Sequence, residues 1–246
     1  MPLPNYLILG ETKCGTTSMY DNFVQHPDIL PALGNKDSVL TADGKVLGQK
    51  ELRYFDRHWS RGLEWYKNCF PKCKDGQITG EATPMYLYRQ QALQRISNTV
   101  KDARLIVMFR NPVDRLLSHF HHLGKILPDW YDRYPTFGDF WRGALEGDYY
   151  IIDKGIYWRS LKSLLMYFPA EQIHIIKSED LFDHPDETYT KALGFLGVCN
   201  HSLSKPAHSR KNSYSKITDI ELLSEIETFY QRHNLILETM IGRKME

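Results

Sequence analysis

The stretch LILGETKCGTTSMY, Leu7 to Tyr20, decides how this chain is read. A short apolar run enters a glycine turn, and a helix-like run from Thr16 to His26 leaves it. That is the form of an anion site. Backbone N–H groups at a helix start point outward, and the helix dipole favours negative charge there. Gly10 and Gly15 permit close backbone approach. Thr16 and Thr17 add hydroxyl donors and can cap the helix. Lys13 adds a full positive charge on a flexible stem. The spelling differs from a Walker loop, G-x-x-x-x-G-K-[ST], in which lysine follows the second glycine. Here Lys13 precedes Gly15. A plain strand-to-helix turn with an exposed lysine has the same spelling, so the loop alone leaves both readings open.

Outward from the loop, strands and helices alternate. Residues 5–9 read as a buried strand. SVLTADGKVL, Ser38 to Leu47, carries the Asp43-Gly44 signature of a hairpin. Residues 61–70 and 86–98 read as helices, and QITGE (77–81) as a strand. ARLIVMFRNP is the clearest buried strand, ending near Arg110 and closed by Pro112. A helix follows with Leu116, Leu117, Phe120 and Leu123 on one side. Helical spacing recurs in 155–168 through Leu161, Leu164, Leu165 and Phe168. QIHIIK (172–177) is a strand and 186–196 a helix. Residues 218–241 form a long amphipathic helix through Leu222, Ile226, Phe229, His233, Leu237 and Met240. The alternation predicts an α/β fold: one domain over 1–246, a central parallel sheet flanked by helices.

Composition narrows the class. The chain has 246 residues, 42% hydrophobic and 25% charged, enough for one sizeable core. A net charge of +1 gives no global attraction to nucleic acid or membranes, so any basic site is local. Tyr6 to Leu9 is too short for a signal segment or a membrane span. Cys14, Cys69, Cys73 and Cys199 read as four free thiols in a reducing cytoplasm. Pro71 between Cys69 and Cys73 argues against a shared helix face, and two cysteines alone are a weak zinc signal. A cytoplasmic location is the expectation, unless the chain is a trimmed luminal domain.

Further segments sharpen the loop. FRNPVDRLLSHF places Arg110 at a strand end and Ser118 eight residues on, about two turns into the next helix. An arginine fork there could hold a second phosphate bidentately, with the serine hydroxyl completing it. KELRYFD (50–56) sets Lys50 beside Glu51, ahead of an aromatic pair. GEATPMYLY (80–88) follows a strand, and KGIYWRS begins at Lys154. In this order and spacing the segments resemble the sulfotransferase family that uses 3′-phosphoadenosine-5′-phosphosulfate (PAPS). The likeness runs from Leu3 to about Gly197. It implies a P-loop-NTPase-like sulfotransferase fold.

The resemblance also implies roles. KCGTT, with Lys13, Cys14, Gly15, Thr16 and Thr17, is similar to the family's 5′-phosphosulfate loop. RNPVDRLLSHF, with Arg110 and Ser118, resembles its 3′-phosphate segment. The early lysine then meets the bridging oxygen of the leaving 3′,5′-ADP. The KE stretch resembles the branch of heparan sulfotransferases and bacterial tailoring enzymes, in which the glutamate after the lysine is the candidate base. Glu51 takes that role here. Its plain alternative is a surface carboxylate paired with Lys50 or Arg53. Lys50 could neutralise sulfonate oxygens. His58 is the rival base. His119, His121 and His122 are expected on a helix surface near the 3′-phosphate segment. Arg210 and Lys211 in AHSRKNSYSKI resemble a late basic loop that closes over that phosphate, though this copy lacks the glycine; the alternative is a solvated linker. Tyr157 could stack near the donor or simply pack. Heparan enzymes carry lysine where this chain has Ala82, and the insert over 34–49 either shapes the acceptor site or is a surface hairpin.

The expected reaction is in-line sulfuryl transfer to a hydroxyl, with an amine as the lesser alternative, of a carbohydrate or small molecule. No metal is expected. Two alternatives stand beside it: a P-loop small-molecule kinase using ATP and Mg²⁺, and a non-catalytic nucleotide-binding protein of the same fold. The early lysine and the lack of paired carboxylates after the loop speak against the kinase. No nucleic acid partner is expected.

Overall fold

The computed structural model describes residues 3–34, 39–40, 46–47, 50–147, 149–207 and 217–244. Two compact units make up the chain: 1–109 with 163–210, and 110–162 with 211–246.

The first unit holds the sheet. Its strands are β1 (Tyr6–Gly10), β2 (Ile29–Leu30), β5 (Ile78–Ala82), β6 (Arg104–Phe109) and β7 (Ile173–Lys177), in the order β2-β5-β1-β6-β7. All four pairings are parallel. Every residue of β1 is buried, as are five of the six in β6. A parallel sheet covered on both faces demands continuous apolar runs, and these segments supply them. The short pair β3 (Val39–Leu40) and β4 (Val46–Leu47) is antiparallel, with Val39 opposite Leu47, as the hairpin expectation requires. Its turn residues, like most of the 34–49 insert, lie outside the described residues.

Helices α1 (Thr16–Phe23), α2 (Leu63–Lys67) and α3 (Gln90–Thr99) belong to this unit, with α9 (Ser178–Asp183) and α10 (Pro185–Leu196). α1 packs on β1 and β5, α10 packs on β6 and β7, and the two helices touch, so together they cover one sheet face. Phe23 joins them, set edge-on to Tyr6 at 5.4 Å and 6.2 Å from Tyr189.

The second unit is helical: α4 (Pro112–Ile126), α5 (Trp130–Arg133), α6 (Phe137–Glu146), α7 (Tyr149–Asp153), most of α8 (Tyr157–Leu165) and α11 (Ile220–Ile241). Its core gathers Leu116, Phe120, Phe140, Trp141, Ile226 and Tyr230. On α11 the buried positions are Leu222, Ile226, Tyr230, His233 and Leu237. Met240, expected on this face, is 37% exposed one residue before the helix ends at Ile241. Among the described residues no helix is long and apolar enough to cross a membrane.

Candidate active site

The loop after β1 is built by backbone conformation. Gly10 is pressed against the next strand: a Cβ there would stand 2.5 Å from the Met108 carbonyl oxygen. Gly10→Ala is therefore expected to destabilise the fold by roughly 1–3 kcal/mol, the range for overpacking a filled site. Urea unfolding reads this, and an unchanged midpoint would refute the close approach. Beyond Gly10, the Cys14 N–H bonds to the Glu11 carbonyl at 3.0 Å. Lys13 and Gly15 both take left-handed backbone, with φ of 77° and 80°. For lysine that conformation costs on the order of 1–3 kcal/mol, and such costs cluster at ligand clamps and active sites.

Gly15 is the N-cap of α1, and no side chain caps the helix. This corrects the capping expectation for Thr16 and Thr17, which are the first two helical residues. A side-chain cap comes from a residue with extended backbone ahead of the helix, and that place holds a left-handed glycine. First-turn N–H groups without a side-chain cap are what an incoming phosphate needs. The loop thus fits a phosphate group.

A residue the sequence reading did not single out fastens this loop. The Ser178 hydroxyl lies 2.7 Å from the Cys14 carbonyl and 3.0 Å from that of Phe109, sharing its proton between them. It ties the loop to the end of β6. The sequence offers only a serine directly after the QIHIIK strand, with nothing to mark a partner 164 residues away.

Lys50 and Glu51 stand at the same edge of the sheet. The Ala82 N–H donates to the Lys50 carbonyl at 2.8 Å, which places the pair at the carboxyl end of β5. β5 is the direct neighbour of β1, with Ile8 opposite Ala82. Ligands of open parallel sheets bind at this edge, where the strand order reverses around the first strand. Lys50 Nζ lies 2.7 Å from Glu51 Oε1, with the side chains 15% and 39% exposed. The structure therefore brings the two together, as both the catalytic reading and its plain alternative allow. Arg53 instead grips Asp56 through Nε at 3.0 and 2.9 Å. The His58 ring packs by Trp65, with centroids 5.6 Å apart.

In the second unit, Asn111 caps α4, its Oδ1 accepting N–H groups of Val113 and Asp114 at 2.9 and 3.2 Å. Pro112 opens the helix, where its missing N–H costs nothing. Arg110 immediately precedes this cap, and Ser118 is buried on the helix at 2% exposure. His119 is buried too, which corrects its surface placement. The apolar face of α4 is wide, with Arg115 through Phe120 all buried. Tyr157, at the first turn of α8, is buried. Arg210 and Lys211 lie outside the described residues.

All four cysteines are free thiols. Among the described residues, His26, Asp28 and Cys199 bring three metal-ligand atoms within 4.8 Å of one another. His26 Nδ1 accepts the Asp28 N–H at 3.0 Å. Nε2 must then carry the ring proton, which it gives to the Cys199 carbonyl at 2.9 Å. Both ring nitrogens are engaged, so the group reads as a clasp between two loops.

A family model described as a sulfotransferase domain matches residues 3–231. Human heparan sulfate glucosamine 3-O-sulfotransferase 3B1 is 32% identical over 201 residues, covering 80% of this chain and 46% of its own. The chain thus spans about half the length of the curated relatives it matches. A sulfotransferase structure from Alicyclobacillus acidocaldarius superposes with a TM-score of 0.76 at 24% identity, covering 99% of this chain and 98% of that one. Mouse sulfotransferase SULT7A1, solved in complex with PAP, gives a TM-score of 0.50 at 16% identity over 92% and 62% of the two chains.

Proposed function

The chain belongs to the sulfotransferase family, and from that premise we propose that it moves a sulfuryl group from PAPS to an acceptor hydroxyl, by in-line displacement with Glu51 as base. The observation that carries the reading is the shared edge. The left-handed Lys13–Gly15 loop ends β1, and the Lys50–Glu51 pair is pinned to the end of the adjacent β5.

The donor supplies an activated sulfuryl group. The protein's residues do the rest. Glu51 takes the proton of the acceptor hydroxyl as the new oxygen–sulfur bond forms. Lys50 leaves its ion pair to meet sulfonate charge. Lys13 holds the negative charge left on the bridging oxygen as the old bond breaks. Backbone N–H groups of Gly15, Thr16 and Thr17 bind the 5′-phosphate. Arg110 and Ser118 take the 3′-phosphate, by their match to the family's segment, with Arg210 and Lys211 as a closing cluster. Residues 1–246 then act as one sulfotransferase domain, a reading supported by a family match that runs through segments of both units. We place the protein in the cytoplasm, in keeping with its free thiols.

Relatives named for heparan sulfate glucosamine support a glycan acceptor. The departure at Ala82 keeps a small-molecule alcohol beside it. This alanine is fully buried and offers no cation to an anionic chain.

Arg110→Ala tests the donor assignment. Its 3′,5′-ADP affinity is expected to drop by roughly 1.5–3 kcal/mol, the worth of hydrogen bonds to a charged group. Adenosine 5′-phosphosulfate, lacking the 3′-phosphate, is expected to lose far less. Calorimetry with both ligands decides, and equal losses would remove Arg110 from this role.

A further inference from the structure

Glu81 is a carboxylate sealed inside the first unit, with no exposed surface. It sits on β5 one residue before Ala82, the anchor of Lys50. Tyr66 donates its hydroxyl to Oε1 at 2.7 Å, and Thr83 donates to Oε2 at 2.6 Å. The Leu52 N–H reaches Oε2 at 3.2 Å. The Tyr86 hydroxyl spans both oxygens at 3.3 and 3.4 Å.

Two of these donors pass the bonding on. Thr83 Oγ1 accepts the Arg53 N–H, and the Tyr86 hydroxyl accepts the Phe55 N–H, each at 3.4 Å. The backbone N–H groups of residues 52, 53 and 55 therefore end on one carboxylate, directly or through a single hydroxyl. Arg53 needs such anchoring, since its φ is 54°. The segment held this way begins at the residue after Glu51.

We propose that Glu81 is a positioning residue, whose carboxylate gathers the chain just after the Lys50–Glu51 pair and so fixes where Glu51 points. The proposal rests on the reading of Glu51 as base.

The network suits only an ionised acid. An ionised carboxylate accepts and never donates. A protonated Glu81 must place its own hydrogen on an oxygen around it, so a hydroxyl now donating inward must turn away. Thr83 or Tyr86 can still accept the Arg53 or Phe55 N–H after turning, but the bonds that remain to a neutral Glu81 lose their charge assistance, so the array holding residues 52, 53 and 55 loosens. The protonation state of Glu81 thus reports on the order of the 52–55 segment.

Burial pushes the Glu81 carboxyl up to about 7, with its hydrogen-bond donors pulling the other way. The titratable groups that interact with it are Tyr66 and Cys69 on and after α2, Tyr86, and Tyr20 on α1, while the charges of the neighbouring segment pair among themselves, Lys50 with Glu51 and Arg53 with Asp56. Burial and the charge of Glu81 raise Tyr66 and Tyr86 well above 10. Cys69 and Tyr20 are pushed to about 12, burial first. These four stay neutral while Glu81 titrates.

A raised acid is better tolerated neutral. Its contribution to global stability is complete below the unfolded value and is lost as pH rises through about 7. Anchoring of the segment runs in the opposite sense, appearing as the carboxylate ionises. A carboxylate that served stability alone would not separate the two.

Hydrogen–deuterium exchange on the full chain, corrected for intrinsic rates, reads amides 52, 53 and 55 directly between about pH 5.5 and 8.5. Protection is expected to rise through a midpoint near 7 in the parent chain. Glu81→Gln removes that pH dependence. Tyr66→Phe moves the midpoint up by about one pH unit or more, because it deletes a hydrogen bond to the charged form. Thr83→Val removes both the acceptor of the Arg53 amide and a donor to Glu81, so the Arg53 amide loses protection and the midpoint at 52 and 55 moves up, and it serves if Glu81→Gln fails to fold. With p-nitrophenol and a glucosamine-containing glycan as acceptor probes, Glu81→Gln is expected to lower kcat by about 10²-fold, as for a small misplacement of a catalytic group. Its 3′,5′-ADP affinity is expected to hold. Protection independent of pH in the parent chain, or unaltered by both Glu81→Gln and Tyr66→Phe, overturns the proposal. If instead Glu51→Gln turns over at the parent rate, the base assignment falls while the exchange data still decide what Glu81 anchors.

Discussion

Glu51→Gln is expected to lower kcat by roughly 10²–10⁴, the usual worth of a general base, while 3′,5′-ADP affinity stays near the parent value. The amide keeps the shape of the side chain and removes its ability to take a proton. The ion pair with Lys50 at 2.7 Å has two consequences. It holds the carboxylate oriented before an acceptor arrives. It also means that the substitution frees Lys50, whose ammonium then pairs more readily with donor charge. Donor affinity should therefore hold or improve slightly. The pair itself is partly open to water and worth only about 0–1 kcal/mol to the fold, so the melting temperature should barely move. His58→Ala is the control. Its ring packs with Trp65, and its loss is expected to be mild. Measuring kcat and donor affinity for both variants separates the candidates. Abolished turnover in His58→Ala with an active Glu51→Gln would transfer the base role to the histidine.

The centre of the sheet could be read from the sequence because its strands are buried, β1 throughout and β6 but for its first residue. Leu105 to Phe109 is apolar on every residue and entirely inside. Only a buried parallel strand or a buried helix reads that way, and five or six residues between turn signals favour the strand. β2 escaped because two residues leave no period to detect. The aromatic stretch from Trp130 to Asp153 escaped for another reason. Its three short helices are packed by tryptophan, tyrosine and phenylalanine from several directions, which blurs a single apolar stripe. One local signal there was legible. Thr136 and Asp139 form a capping box at the start of α6, and T-x-x-D is its spelling.

The candidate site divides along the same line. Lys13, Gly15, Lys50 and Glu51 were readable because each belongs to a short contiguous motif. Ser178 and Glu81 were not, because their partners are far off in sequence. Ser178 bonds to Cys14, 164 residues away, and Glu81 collects groups from residues 52, 66, 83 and 86. A lone carboxylate in GEATP carries no mark of that convergence. The burial of His119 is the converse case. A histidine run reads as polar, and only the width of the buried face of α4 takes His119 inside while His121 and His122 stay nearer the surface.

Lys13→Ala tests what an early lysine in a phosphate loop is for. In a Walker loop the lysine follows the second glycine, already on the helix, and reaches the terminal phosphates. Here it stands two residues before Gly15, on left-handed backbone with φ of 77°, ahead of the first helical turn. That placement suits the bridging oxygen, where charge appears chiefly as the sulfur–oxygen bond breaks. An interaction made mainly in the transition state lowers kcat when removed and leaves ground-state binding largely intact. Lys13→Ala is therefore expected to lower kcat by on the order of 10²–10³, about 2.7–4 kcal/mol, as for loss of one oxyanion donor. Donor affinity should fall much less. Alanine bears a similar left-handed cost to lysine, so the loop keeps its backbone and the effect reports the ammonium itself. Stopped turnover assays give kcat, and calorimetry with 3′,5′-ADP gives affinity. A loss confined to donor affinity, with kcat preserved, would place the Lys13 charge over the bound phosphate in the ground state and return this loop to the Walker pattern of use.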